Sequence, residues 1–397
     1  MMRRHWPFFL SCLLAFTGGH IVNYSVIIYA QEALRSDLLA GIGFGLCFGP
    51  PLLLGWYAGV LCDRYAPVRI IHVAQILFVV AALALAAGDR FIAEPQARAP
   101  FLLGAALCAG IGWSFVAPAR MTALGQLVDA ASLRRASLIF NLLVMLGFGL
   151  GPLAISACRL LSGWHAAFGL AAALFLAGSL LLLGVSTKPG LRPHRPVIQE
   201  VAEGLRAVRA NPLVAQLLLA AIFGYMLMGP MQVILPKLAR SALGLGELQR
   251  GAFLGTLAPS LIAGGLLCMV AAKRLPHGKT IFAAFMLSGL LFALMASVQQ
   301  PAAAFALLAC VGMLGGVAIG LIVAGIQENV EDAVRGRVLS MYTIISQVMP
   351  AASGMNAGVL VHALDARRAV MVCGGVLACA ALVNVLWMGT LRRHRGN

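Results

Sequence analysis

Apolar residues run along this chain in long blocks, and polar residues are confined to short breaks between them. Twelve blocks stand out, at about 7–30, 38–62, 69–87, 101–124, 136–160, 164–185, 213–236, 251–272, 279–297, 301–326, 338–362 and 368–390. As helices rising ~1.5 Å per residue, blocks of this length cross the ~30 Å hydrocarbon layer of a bilayer. The pattern predicts an all-α membrane protein with twelve transmembrane helices. The longest polar stretch, Ser186 to Asn211, divides them six and six. The expected organisation is an N-terminal six-helix bundle over 1–185, a central loop over 186–212 and a C-terminal six-helix bundle over 213–397. Within the loop, apolar residues at 197, 198, 201, 205 and 208 share one face and predict a surface helix from Val197 to Ala210.

Composition agrees. Of 397 residues, 61% are apolar and 11% charged, against about 25% charged in soluble domains. Mean hydropathy is +0.93. The net charge of +16 would suit a nucleic-acid partner, but its distribution excludes one. Of the 29 Lys and Arg residues, 20 fall on the alternate segments that include both termini and 9 on the others. That bias is a topology signal and places both termini in the cytoplasm. Arg120 is counted here with the loop after the fourth span. The start, Met1 to Leu10, carries Arg3 and Arg4 before an apolar run, but no small-residue cleavage site follows, so it reads as an uncleaved first helix. The nine cysteines lie in or beside apolar blocks without a C-x-x-C spacing, which implies neither disulfides nor a metal framework.

The charged turn Gly59-Val60-Leu61-Cys62-Asp63-Arg64-Tyr65-Ala66-Pro67-Val68-Arg69 separates the second and third spans. A weak repeat, Lys273 to Lys279, follows at an offset of 210 without the acid. The fourth span ends Phe115-Val116-Ala117-Pro118-Ala119-Arg120, the fifth carries Gly147-Phe148-Gly149-Leu150-Gly151-Pro152, the loop reads Glu203-Gly204-Leu205-Arg206, and Val334-Arg335-Gly336-Arg337 precedes the eleventh span. Together these stretches resemble the major facilitator superfamily, and within it the drug–proton antiporter-like branch that includes enterobactin exporters and macrolide-efflux proteins. The resemblance implies two pseudo-symmetric six-helix bundles around a midplane site, in a bacterial inner membrane and as a monomer. It implies no cofactor. It makes Asp63, Arg64, Arg69, Arg335 and Arg337 a cytoplasmic latch, with Ala66 and Pro67-Val68 departing from the usual pattern. It makes Gly147, Gly151 and Pro152 an exporter motif. Read without it, Gly147-x-x-x-Gly151 is a close-packing motif, Pro152 a bend and the arginines topology anchors.

Energy coupling needs a titratable group in the membrane. All thirteen acids fall in loops or at span ends, and His20 is read as the one ionisable side chain deep in a span. It stands where related exporters often carry an acid. Two readings stand open: a proton carrier or ligand, or a neutral imidazole bonded to a neighbouring helix. Glu32 and Asp37 are weaker proton candidates that surface solvation explains equally well. Asn23, Tyr24 and Gln232 are the best candidates for the cargo cavity. No nucleotide-binding loop, HExxH or catalytic triad is present, so neither an ATP-driven pump nor an enzyme is expected. The expected function is proton-coupled export of a small polar or amphipathic molecule. A siderophore comes first and macrolide-like drugs second, with an importer or facilitator as the alternative.

Cysteines placed within 186–211 and at Ser241 are predicted to react with impermeant reagents from opposite membrane faces. Labelling from one face would overturn the topology.

Overall fold

The computed structural model describes residues 2–190, 197–271 and 276–394. Arg192 and Arg195 of the central loop, and Lys273 to Leu275 of the second charged turn, lie outside the described residues. The described chain is helical, without strands. Its first half forms α1 (Met2–Glu32), α2 (Asp37–Phe48), α3 (Pro51–Arg64), α4 (Pro67–Phe91), α5 (Ala99–Leu127), α6 (Ala130–Ser162) and α7 (Trp164–Leu180). Then come α8 (Val197–Ala210), α9 (Pro212–Tyr225), α10 (Met228–Ser241), α11 (Glu247–Gly255), α12 (Leu257–Ala271), α13 (His277–Leu294), α14 (Pro301–Asn329), α15 (Asp332–Leu364), α16 (Ala366–Trp387) and α17 (Gly389–Arg393). Eleven helical segments are long and apolar enough to cross a membrane, and the 17-residue α7 is a shorter apolar helix. The twelve blocks of the sequence are thus all found as helices.

Three of the expected continuous helices are broken, each beside a proline. A proline has no N–H, and its ring collides with the carbonyl four residues earlier. Pro50 and Pro51 separate α2 from α3, Pro230 follows the break between α9 and α10, and Pro259 follows the break between α11 and α12. Pro118, Pro152, Pro236 and Pro350 remain inside helices.

The chain forms two compact units, residues 1–194 with 245–255, and residues 195–244 with 256–397. In the first, α1 packs against α5, α6 and α7, and α4 against α5 and α7. Phe78 of α4 stacks on Phe175 of α7 at 4.5 Å, and Trp113 of α5 meets Phe78 edge-on at 5.4 Å. The start of the central loop is strapped to this unit. Thr187 Oγ1 accepts from Val68 N at 3.1 Å, Gln126 and Lys188 exchange two hydrogen bonds, and Gly190 N donates to Cys62 O at 3.1 Å.

In the second unit α13 lies against α14 and α16, α12 against α14, and α10 against α15. Hydrocarbon removes the solvent drive to bury apolar surface, so close backbone contact must hold helices together. The α12–α14 crossing shows this. A Cβ on Gly264 would sit 2.0 Å from Met313 O, and one on Gly316 would sit 2.2 Å from Leu261 O. The surface helix α8 forms with the expected bounds, and of its expected apolar face Val197, Ile198 and Val201 have side chains outside the described residues. Gly204 and Val208 are buried against the unit, whereas Leu205 is exposed. Arg337 Nη1 reaches Glu203 Oε2 at 2.6 Å, and Gly204 sits over Arg337 and Met341.

Gly264→Val is expected to destabilise the purified protein by about 1–3 kcal/mol through overpacking, whereas Gly265→Val, with open space around it, leaves it unchanged. Thermal melts in detergent distinguish the two.

Candidate functional site

The site is built on α1. Gly18 and Gly19 lack side chains where rings of α7 and α5 press in. A Cβ on Gly18 would meet Phe175 at 3.0 Å, and one on Gly19 would meet Trp113 at 2.6 Å. That approach sets the next residue, His20, between Trp113 and Phe148, with ring centroids 5.4 and 5.1 Å away. One turn on, Asn23 Oδ1 accepts from the Trp113 indole at 3.3 Å, and Tyr24 lies 6.0 Å from Phe148. His20, Asn23 and Tyr24 are all buried. Among the described residues His20 Nδ1, Asn23 Nδ2 and the Tyr24 hydroxyl have no hydrogen-bond partner. The chain thus brings together three of its sequence candidates in an aromatic wall with unsatisfied polar atoms. Trp113, which the sequence did not single out, organises them.

The glycine motif of α6 presses on the same stretch of α1. A Cβ on Gly147 would lie 2.7 Å from Phe16 backbone, and one on Gly151 would lie 2.9 Å from His20 Cβ. The opposite edge of α6 receives α11. Gly251 approaches the carbonyl of Pro152, and Gly255 that of Gly149. The small residues of α6 therefore serve two neighbours. Pro152 stands inside α6, at the contact with Gly251.

Arg120 corrects the expectation that His20 is the one ionisable group within a span. α5 runs to Leu127, two turns beyond Arg120, and the side chain is fully buried. It is no loop charge. Nη1 donates to Cys12 Sγ and Nη2 to Ser11 Oγ, both at 3.1 Å, and the guanidinium lies 5.9 Å from the Phe16 ring. Among the described residues Nε has no partner and no carboxylate pairs with the group. A guanidinium in this position is a strong attractor for an anionic group. Nearby, Gln75 is buried with both amide atoms unpartnered. Hydropathy hid Arg120 because one charge hardly lowers the average over a long span.

Glu32, the weaker proton candidate that surface solvation explains equally well, lies in a half-buried charge square. Arg159 of α6 reaches Glu32 Oε2 at 2.5 Å and Glu247 Oε1 at 2.8 Å. Arg250 reaches Glu32 Oε1 at 2.6 Å and also pairs with Glu247. Each arginine thus meets both acids, and the square joins the ends of α1, α6 and α11. Arg159 also lies 4.3 Å over the Trp164 ring. Beside it, Asp89 takes Tyr29, Arg98 and His165 as partners. Asp37 stands in the first turn of α2, after the N-cap Ser36.

The expected latch residues fall in both units. Asp63 ends α3 beside Gly190, and among the described residues it forms no ion pair within its unit; Arg64 and Arg69 are exposed. Arg337 is paired with Glu203, and Arg335 donates to Val330 O at 3.1 Å. Gln232 is buried in α10 of the second unit, and its Oε1 is unpartnered among the described residues.

Residues 8–354 match the family model of the Major Facilitator Superfamily. No curated protein matches the chain significantly. Solved transporters share its fold. A POT family transporter in complex with 5-aminolevulinic acid superposes with a TM-score of 0.80 at 12% identity, covering 98% of this chain and 96% of that one. A bacterial homologue of the human lysosomal transporter Spinster, inward-facing and unoccupied, gives 0.71 at 17% identity, over 97% and 95% of the two chains. A D-xylose–proton symporter gives 0.74 at 13% identity, over 96% of each.

The charge square is expected to act as one energetic unit. In a double-mutant cycle of Glu32→Gln and Arg159→Gln, the double variant should lose less stability than the two single losses combined, with a coupling of about 1–3 kcal/mol. Additive losses in thermal melts would dissolve the unit.

Proposed function

The chain belongs to the Major Facilitator Superfamily, and from that premise we propose that it exports a small polar or amphipathic molecule by proton-coupled alternating access. A siderophore is the first cargo, and macrolide-like drugs are the second. The observation that carries the reading is the set of buried, unpartnered polar atoms on His20, Asn23 and Tyr24, framed by Trp113 and Phe148. An unsatisfied polar group in a dry interior costs on the order of 1–3 kcal/mol. Three such groups on adjacent turns of one helix are economically explained by a ligand that satisfies them. The aromatic faces suit a cargo with a planar or apolar part, and the buried Arg120 suits one that carries negative charge.

Export rests on the α6 motif and its resemblance to exporters. Gly147 and Gly151 hold α6 tight on α1 beside His20, so a shift of α6 is felt at the ligand groups. His20 is the group proposed to carry the proton, with Glu32 and Asp37 behind it. Asp63, Arg64, Arg69, Arg335 and Arg337 are proposed as cytoplasmic charges whose pairing changes with conformation. Both termini in the cytoplasm, an inner membrane and a monomer complete the proposal. A second reading, import or facilitated passage without protons, is favoured by the lack of any acid deep in a described span.

Mass spectrometry of medium and cell extract, comparing a deletion strain with its parent with and without iron, tests direction and cargo. An iron-binding compound lost from the medium and accumulated in deletion cells supports siderophore export, and complementation with His20→Ala should then restore less than about a tenth of the export. Full restoration by His20→Ala would remove His20 from the route. A compound lost from cells rather than from medium would replace export by import.

A further inference from the structure

His277, Glu328 and His394 are far apart in the sequence but meet in the second unit. His277 opens α13, Glu328 lies at the end of α14, and His394 follows α17. One ligand atom from each lies within 4.8 Å of the other two. The imidazole rings stand edge to face with centroids 5.5 Å apart. Among the described residues His394 Nε2 is buried and has no hydrogen-bond partner.

The fold holds the three in place rather than leaving them to chance. Leu391 is fully buried, and its N–H donates to Gln216 Oε1 at 2.7 Å. Gly278 N donates to His394 O at 3.1 Å. Gly278 permits this crossing, because a Cβ there would lie 1.7 Å from Leu391 O. The C-terminal segment is thereby pinned beside the first turn of α13, and His394 is delivered to His277. The nearby Arg392 turns its guanidinium to Val385 O at 3.4 Å.

We propose that His277, Glu328 and His394 bind one divalent transition-metal ion of the zinc class, which staples the C-terminal segment to the ends of α13 and α14. Two imidazoles and a carboxylate are a donor set suited to zinc; magnesium and calcium prefer all-oxygen sites. Ligand bonds of about 2.0–2.2 Å require the donor atoms to draw together by roughly 1 Å, within reach of side-chain rotation at the exposed Glu328. Three protein donors leave a fourth position to water, so the ion would be exchangeable. The site is independent of the transport reading.

Zinc chloride titrated into the chelator-treated full-length protein, carrying no histidine tag, tests the proposal by calorimetry, thermal melts and elemental analysis. The expected result is one ion per chain, a raised melting temperature, and an affinity at least about tenfold weaker in His394→Ala and in Glu328→Gln. His362→Ala should bind as the parent does. Cobalt in place of zinc should give the visible bands of a low-coordinate site, absent in His394→Ala. No stoichiometric binding, or binding that survives both His394→Ala and Glu328→Gln, would overturn the site.

Discussion

Helices in hydrocarbon gain little by hiding apolar surface from each other, because lipid tails are as apolar as leucine. What holds them is dispersion at close range, and that demands residues small enough for backbones to touch. In the first unit the demand converges on α1. Gly18 admits Phe175, Gly19 admits Trp113, and Gly147 and Gly151 bring α6 onto Phe16 and His20. These contacts place the polar residues of α1 where they stand. A larger residue at any of them moves His20, so the packing constraint and the candidate chemistry cannot be separated.

The same low dielectric governs the charges. An isolated ion inside a bilayer is strongly disfavoured, so buried charge appears paired or with a task. The chain shows both solutions. Glu32, Arg159, Glu247 and Arg250 neutralise one another at the helix ends, each arginine serving both acids. Arg120 does not follow this rule. Its contacts are a thiol, a hydroxyl and a ring face, none of which cancels its charge. The contrast distinguishes charges that neutralise one another from a buried charge that no carboxylate offsets among the described residues.

α11 links these two themes. It carries Glu247 and Arg250 into the square and lays Gly251 and Gly255 along α6. It belongs to the first unit although it follows the central loop, and the break at Thr256, beside Pro259, which has no N–H to offer the carbonyl of Gly255, separates it from α12.

The sequence alone determined the fold class. The period and length of apolar blocks must match the hydrocarbon thickness, and a backbone in lipid must bond to itself, so twelve blocks leave little choice but twelve helices. It also marked His20, Asn23, Tyr24 and the α6 glycines, because polar or repeated small residues are conspicuous against an apolar background. Tertiary structure alone decided which charges were buried and what they met. Arg120 was counted as a loop cation, and Glu32 was left open between a weak proton candidate and a solvated acid, since hydropathy averages over a span and is blind to helix rotation. Of the apolar face of α8, Val208 is buried and Leu205 exposed, a difference that periodicity does not show. His277, Glu328 and His394 carry no spacing signal, because their meeting depends on the path of the C-terminal segment across Gly278. Periodicity is a local property and survives in one dimension, whereas partnership depends on distances that exist only after the chain has folded.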